Sequence, residues 1–205
     1  MKIVDPVTAF QIFESAVKNY HILDNVDQSY VKSNYVEGTL EDELYRKCWI
    51  DTVQWHLEDI IRDEHIDPSF ALFIKRRIDQ LNQERTQKVE SIDDYFLEAF
   101  KDVEYEKNAR KNTESLAWSI DRLSVLCLKI YHMRIECHRS DASQEHKDKC
   151  DIKLNVLFRQ KKFLLQAISD LMEEMRTGKA HAFVYRQIKM YNDSELNPIL
   201  RQAGS

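Results

Sequence analysis

Residues 113–138 read TESLAWSIDRLSVLCLKIYHMRIECH, and no other stretch limits the fold as much. The run opens with Thr113 and Glu114. At 100° per residue, Leu116, Leu123, Leu126, Cys127, Ile130 and Met133 cover most of the circumference of a helix. Asp121, Arg122, Lys129, His132 and Glu136 gather in one arc of roughly 100°. A helix apolar on nearly every side has to lie inside a bundle. Its narrow charged strip then faces water, a partner or a pocket, because isolated charge is not left among hydrocarbon.

The rest of the chain agrees with a helical bundle. Only three Gly and three Pro occur in 205 residues, too little turn chemistry for the hairpins of a many-stranded β protein. The expected fold class is therefore all-α: an elongated bundle of about five long helices with a short C-terminal helix. No internal repeat and no Pro/Ser-rich linker divides it, so residues 1–205 are expected to form a single domain. A polar loop is expected near 24–42, and the end at 200–205 is open to disorder.

In chain order, Asp5-Pro6 is a helix start, with Asp as N-cap and Pro where its missing N–H costs nothing. Val7, Phe10, Phe13, Val17 and Tyr20 then form one apolar stripe. The period is lost over 24–42, which contains Gly38, and a second helix is expected from about Leu44 with Trp49, Val53, Leu57, Ile60 and Ile61 buried. Asp67-Pro68 repeats the first start signal and opens a third helix to about Phe96. Arg85 sits on its apolar seam midway between Leu81 and Val89, so it either snorkels outward or is paired inside.

Residues 97–112 are dominated by charge and read as loop or weak helix. After the central helix, Asp141 or Ser143 is the next N-cap. Leu154, Leu157, Lys161, Leu164, Ile168, Leu171 and Met175 then form a heptad seam holding one lysine. Gly178 ends that helix. Phe183, Tyr185, Ile188 and Tyr191 suggest a short docked helix before Pro198.

Several function classes are disfavoured. The net charge of −5, from 30 basic and 35 acidic residues, gives no footprint for nucleic acid. No run approaches the roughly 20 apolar residues of a membrane span, and the N-terminal MKIVDPVTAFQIFES lacks the apolar core of a signal peptide. A cytoplasmic location is the resulting expectation. Cys48, Cys127, Cys137 and Cys150 read as reduced, buried thiols in helical contexts.

No cofactor is expected, since Gly is too scarce for a phosphate-binding loop or a dinucleotide fingerprint and no Gly-x-Ser-x-Gly occurs. No metal is expected either. The Glu-x-x-His pairs of di-metal bundles are missing, with His56 and Asp59 close only in form. Cys137, His138, His146 and Cys150 lack the paired short gaps of structural zinc sites.

What remains is a set of charged and amide residues on three apolar helices: Glu58, Asp59 and Arg62, then Lys75, Arg76, Asp79, Asn82 and Arg85, then Asp121, Arg122, Lys129 and His132. They are read either as solvated flanks laced with i,i+4 ion pairs or as the walls of a polar groove or interface. No catalytic residue is assigned, although His132 or Glu58 has the chemistry for proton transfer.

These residues also carry a resemblance. Glu58-Asp59, Arg62, Lys75-Arg76, Ile78-Asp79, Asn82-Gln83 and Arg85, followed by Thr113-Glu114, Ile120-Asp121-Arg122-Leu123-Ser124, Leu128-Lys129-Ile130 and Tyr131-His132-Met133, resemble a bacterial helical family catalogued as domain of unknown function 4254. The resemblance is strongest over roughly 44–134. Where the family has small residues or Pro after the Thr-Glu pair, this chain has Ser115-Leu116-Ala117. The resemblance implies an all-helical cytoplasmic protein of uncharacterised activity, encoded near sugar-transfer enzymes of envelope polysaccharide synthesis; it carries over no catalytic residue.

Two functions follow as expectations. One is a non-catalytic accessory or interaction protein that self-associates through a helical face, with a protein partner in glycan assembly. The other is a binding protein or enzyme for a phosphorylated or nucleotide-linked sugar. It requires Arg62, Arg76 or Arg85 to meet Arg122, Lys129 and His132 in one pocket.

Overall fold

The computed structural model describes residues 3–203, and it is all-α with no strand among them. Five long helices follow one another: α1 (Pro6–Tyr20), α2 (Leu40–Ile60), α3 (Pro68–Ala99), α4 (Leu116–His138) and α5 (Gln144–Arg176). A 3₁₀ turn at Met190–Asn192 and a short α6 (Pro198–Ala203) complete the chain. At 32 and 33 residues, α3 and α5 run to about 48–50 Å. No helix among the described residues is long and apolar enough to cross a membrane.

Local chemistry sets the boundaries. Asp5 accepts from the N–H groups of Val7 and Thr8 at 2.9 and 3.0 Å, and Asp67 does the same for Ser69 and Phe70, each with Pro just inside the helix. Ser143 caps α5. Ser115, two residues after the Thr113 that opens the central run, caps α4. Helix α2 starts at Leu40, four residues before the expected Leu44, because Thr39 caps it and Glu41, Asp42 and Glu43 complement the dipole of its first turn. The loop before it, residues 21–39, is as long as the expected 24–42 but lies three residues earlier. Gly178 takes φ +76° just beyond α5, as a helix terminator does.

Among the long helices, α4 alone touches all four others. Leu116, Leu123, Leu126, Cys127 and Ile130 are buried and Met133 is half-buried, so the central run lies inside the bundle. Phe10, Phe13, Val17 and Tyr20 bury the stripe of α1, but Val7 is exposed. On α5, Leu154, Ile168 and Met175 are buried, and the seam residue Lys161 sets its ammonium 3.5 Å from the centre of the Phe10 ring. All four cysteines are free and buried, and burial pushes the thiols of Cys48 and Cys137 up to about 12 and about 11.

The tail departs from expectation. Phe183, Tyr185, Ile188 and Tyr191 are exposed and form no α-helix; the short helix follows Pro198 instead of preceding it. The backbone here is satisfied differently. Arg110 N–H donates to the Lys179 carbonyl at 2.7 Å and His181 N–H to the Arg110 carbonyl at 2.9 Å, so the segment runs beside the 104–110 loop as an extended strap. Residues 200–203, expected to be open to disorder, lie in α6, and Gly204 and Ser205 lie outside the described residues.

At the start of α4, the buried Asp93 of α3 accepts from the Ser115 hydroxyl at 2.9 Å and the Ala117 N–H at 3.3 Å. Burial is the largest influence on it, and despite these donors and Arg186 it raises the carboxyl from 3.8 to about 6, with Asp94 adding to the rise. The folded state therefore holds the proton longer than the unfolded chain, and this stabilisation is complete below pH 3.8 and lost as pH rises through about 6. Asn cannot ionise: its amide oxygen can accept from the Ala117 N–H, and its amide N–H can donate to the Ser115 hydroxyl oxygen. Asp93→Asn should thus be more stable than the parent at pH 7, by up to about 3 kcal/mol, an advantage that vanishes at about pH 3. Urea titrations at the two pH values measure the difference.

Candidate functional site

Three helices place ionic groups at one level of the core. Lys47 and Asp51 lie one turn apart on α2, Arg85 comes from α3, and Asp121 and Ser124 come from α4. Lys47 is 1% exposed, with its ammonium 2.6 Å from Asp51 and also paired to Asp121. The Arg85 guanidinium spans the same two carboxylates, with Nε 3.0 Å from Asp51 and Nη2 2.6 Å from Asp121. Ser124 donates to Asp51 at 2.6 Å. Two cations meet two carboxylates, so the cluster is neutral and every carboxylate oxygen accepts at least one bond. Arg85 is paired inside rather than snorkelling. Lys47 and Asp51 escaped the sequence reading, although their spacing from Leu44 and Cys48 puts them on the buried face of α2.

Two open volumes flank this cluster. On the α2/α3 side is a hollow of about 450 Å³, lined by Asp51, Trp55, Glu58, Asp59, Arg62 and Arg85. On the α5 side is a groove of about 900 Å³. Trp118, Arg122, Val125 and Lys129 form its α4 wall, and Val156, Arg159, Gln160 and Phe163 its α5 wall. Val125 belongs to both, and Asp121 connects the buried cluster to the groove.

The expected strips therefore converge in part. Glu58, Asp59, Arg62 and Arg85 share the hollow, where Arg62 pairs with Glu58 at 3.1 Å. Arg122 and Lys129 share the groove; Arg122 pairs with Glu114 at 2.6 Å, while no carboxylate pairs with Lys129 among the described residues. Lys75, Arg76 and Asp79 are exposed on α3, with Lys75 and Asp79 paired to each other as in a solvated flank. The Asn82 carbonyl accepts from Thr86 and from Lys189 of the strap. Neither the hollow nor the groove includes these four residues.

His132 goes elsewhere. It stacks on Trp55 with ring centres 4.8 Å apart and planes 3° from parallel, and its ring edge turns toward His21 and His56. One ring nitrogen from each of the three histidines lies within 4.8 Å of the other two. His21 follows the end of α1, and its Nδ1 lies 2.7 Å from the Val17 carbonyl. Its Nε2 is 3.1 Å from His56 Nε2. The Asp24 carboxylate stands 3.6 Å from His56 Nε2 and 3.9 Å from His21 Nε2. Asp24 is the one non-glycine residue with positive φ among the described residues, at +48°. Burial, followed by the neighbouring His56 and His21, lowers His132 to about 4; burial first and then His21 lower His56 as well.

The soft-ligand run at 137–150 does not assemble as a set. His146 bonds Glu136 at 2.9 Å and lies 3.3 Å from the Cys150 thiol, while His138 turns its Nδ1 to the Arg134 carbonyl.

A family model described as Protein of unknown function (DUF4254) matches residues 41–184, more than half of the chain. The match runs from the first turn of α2 past the end of α5, covering the buried cluster, the hollow and the groove. No curated protein and no solved structure matches the chain.

Proposed function

The chain belongs to the DUF4254 family of proteins of unknown function, and on that premise we propose that it is a non-catalytic accessory protein whose α4/α5 groove holds an acidic, amphipathic helix of a partner protein. One observation carries the reading: the groove walls repeat every seven residues. Trp118 and Val125, Arg122 and Lys129, Val156 and Phe163, and Gln160 and Ala167 are four such pairs. A seven-residue repeat on two packed helices is the acceptor surface for a third helix of the same period. Phe163 is 77% exposed, so the described residues leave a large ring on this seam mostly uncovered.

Charge supports a partner helix over a second copy. Lys129 and Arg159 border the groove, and neither is paired with a carboxylate among the described residues. A two-fold contact through this face would bring its cations toward their own copies, whereas acidic flanks on an incoming helix would complement them. We place the partner among the enzymes of envelope polysaccharide assembly, which rests on the resemblance and not on the geometry. The sugar-phosphate reading has less support: Arg62 and Arg85 line the hollow, Arg122 and Lys129 line the groove, and Arg85 is already held by two carboxylates.

The test uses a labelled three-heptad peptide with a leucine seam and glutamate flanks, and a twin with lysine flanks. Fluorescence anisotropy should show saturable binding of the glutamate peptide at one per chain, weakened about tenfold or more by Phe163→Glu. The exposed position of Phe163 keeps that variant folded. Equal binding of both peptides, or of neither, would contradict the proposal. So would a dimer of the protein alone that Phe163→Glu dissociates, since the groove's occupant would then be a second copy.

A further inference from the structure

We propose that His21, His56 and His132, with Asp24 beside them, form a binding site for a first-row transition-metal dication, Zn²⁺ being the best chemical fit. The site is separate from the groove and does not depend on what the groove holds. Three segments far apart in sequence deliver its residues: the end of α1 with the loop after it, the last turns of α2, and the second half of α4.

The protonation pattern favours ligation. The Val17 carbonyl can only accept, so His21 Nδ1 carries a proton, and in the neutral ring Nε2 holds the lone pair. A backbone carbonyl holding the far nitrogen is also the usual orienting partner of a metal-bound histidine. That lone pair points at His56 Nε2, 3.1 Å away. A hydrogen bond between these two rings would leave the third member unexplained: His132 Nε2 is buried with no hydrogen-bond partner among the described residues. A cation bound through His132 Nε2 would partner it together with one nitrogen from each of the other two rings.

The geometry is close to what a cation requires. Tetrahedral Zn–N bonds of 2.0–2.1 Å place ligand nitrogens about 3.3–3.4 Å apart. The nitrogens lie within 4.8 Å of one another, so ring rotation has to draw in the widest pair by at most about 1.5 Å. The stacking contacts of His132 on Trp55 and of His56 on Tyr20 use ring faces and leave the in-plane nitrogens available. Three imidazoles and one carboxylate select a borderline dication over Ca²⁺ or Mg²⁺, which take oxygen ligands. Asp24, held at positive φ and within 4 Å of two of the rings, supplies the negative charge on the solvent side. A bound ion would tie the start of the 21–39 loop to α2 and α4.

The experiment takes the full chain stripped by chelator and titrates it with Co²⁺ at neutral pH, followed by visible absorption. Four-coordinate d–d bands should saturate at one equivalent and be displaced by Zn²⁺, and Zn²⁺ should slow proteolysis within residues 22–38. His56→Gln and His132→Gln should weaken binding by at least about a hundredfold, and Asp24→Asn by about 10- to 100-fold. His146→Gln should bind as the parent does. The parent titration does not depend on how well any variant folds, and circular dichroism verifies each variant. Absence of Co²⁺ bands together with a Zn²⁺-independent melting temperature would overturn the proposal. So would parent-like affinity in folded His132→Gln, which would place the ion elsewhere, such as at His146 and Cys150.

Discussion

Lys47→Met should lower unfolding free energy by about 3–5 kcal/mol, the cost of removing one partner from a buried ion cluster. The side chain fits by volume, so packing is not the cause. Its ammonium bridges Asp51 and Asp121, and without it two buried carboxylates share one cation, the Arg85 guanidinium, with the Ser124 hydroxyl as the other donor to Asp51. In a chain of 205 residues this corresponds to a melting temperature lower by on the order of 10 °C. Neutralising one carboxylate restores the balance, so Lys47→Met/Asp121→Asn should be more stable than the sum of the two single losses. Guanidinium titration of the four proteins gives the coupling directly. A loss below about 1 kcal/mol for Lys47→Met would mean that water or a shifted side chain replaces the ammonium.

Gly178→Ala should be the other costly exchange, and Gly38→Ala is its internal control. Both positions have positive φ, +76° and +78°, so each alanine carries the conformational penalty of about 1–2 kcal/mol. They differ in surroundings. Around Gly38 a methyl group meets nothing within 4 Å, whereas at Gly178 it runs into the Glu104 carbonyl oxygen and lies 3.2 Å from the carbonyl carbon. The obstacle is backbone and cannot rotate away. Relief requires separating the end of α5 from the 104–110 loop, which puts the 2.9 Å bond from Glu106 N–H to the Gly178 carbonyl at risk, and with it the strap. Gly178→Ala should therefore cost about 2 kcal/mol more than Gly38→Ala in the same denaturant series. Equal losses would show that the loop moves freely.

Much of the architecture was legible because it rests on local signals. Asp5-Pro6, Asp67-Pro68, Ser143 and Gly178 are helix ends by their own chemistry, and the seam of α5 repeats regularly enough to be read directly. Helix α2 was placed late because its first turn is acidic and polar: Thr39 and the Glu41–Glu43 run start a helix through capping and dipole, which hydrophobic period does not register. The tail was misread because its aromatics lie exposed along a strap held by backbone bonds to another loop.

The site was only partly legible, for geometric reasons. A helical wheel discards axial distance. Asp121, Arg122, Lys129 and His132 fall in one arc, yet Asp121 and His132 are eleven residues apart, about 16 Å along α4. That separation is enough to give them different neighbours: the buried cluster and groove for Asp121, and the histidine cluster for His132. Arg85 was readable as a seam interruption, but its partners Asp51 and Asp121 come from other helices. The histidines lie at 21, 56 and 132, a spacing that no short-gap ligand pattern contains. The seven-residue repeat of the groove exists only once α4 and α5 are side by side.

The most direct measurement of the groove's role is a charge reversal. Lys129→Glu/Arg159→Glu exchanges the two cations on its walls that lack carboxylate partners while leaving the Trp118, Val125, Val156 and Phe163 seam intact. Anisotropy titrations of parent and variant against the glutamate- and lysine-flanked peptides, at low and high salt, compare the four affinities. If an acidic helix lies in the groove, the preference inverts: the parent selects glutamate, the variant selects lysine, and salt weakens both selections. If the variant keeps the parent's preference, the peptide binds elsewhere and the groove does not receive it.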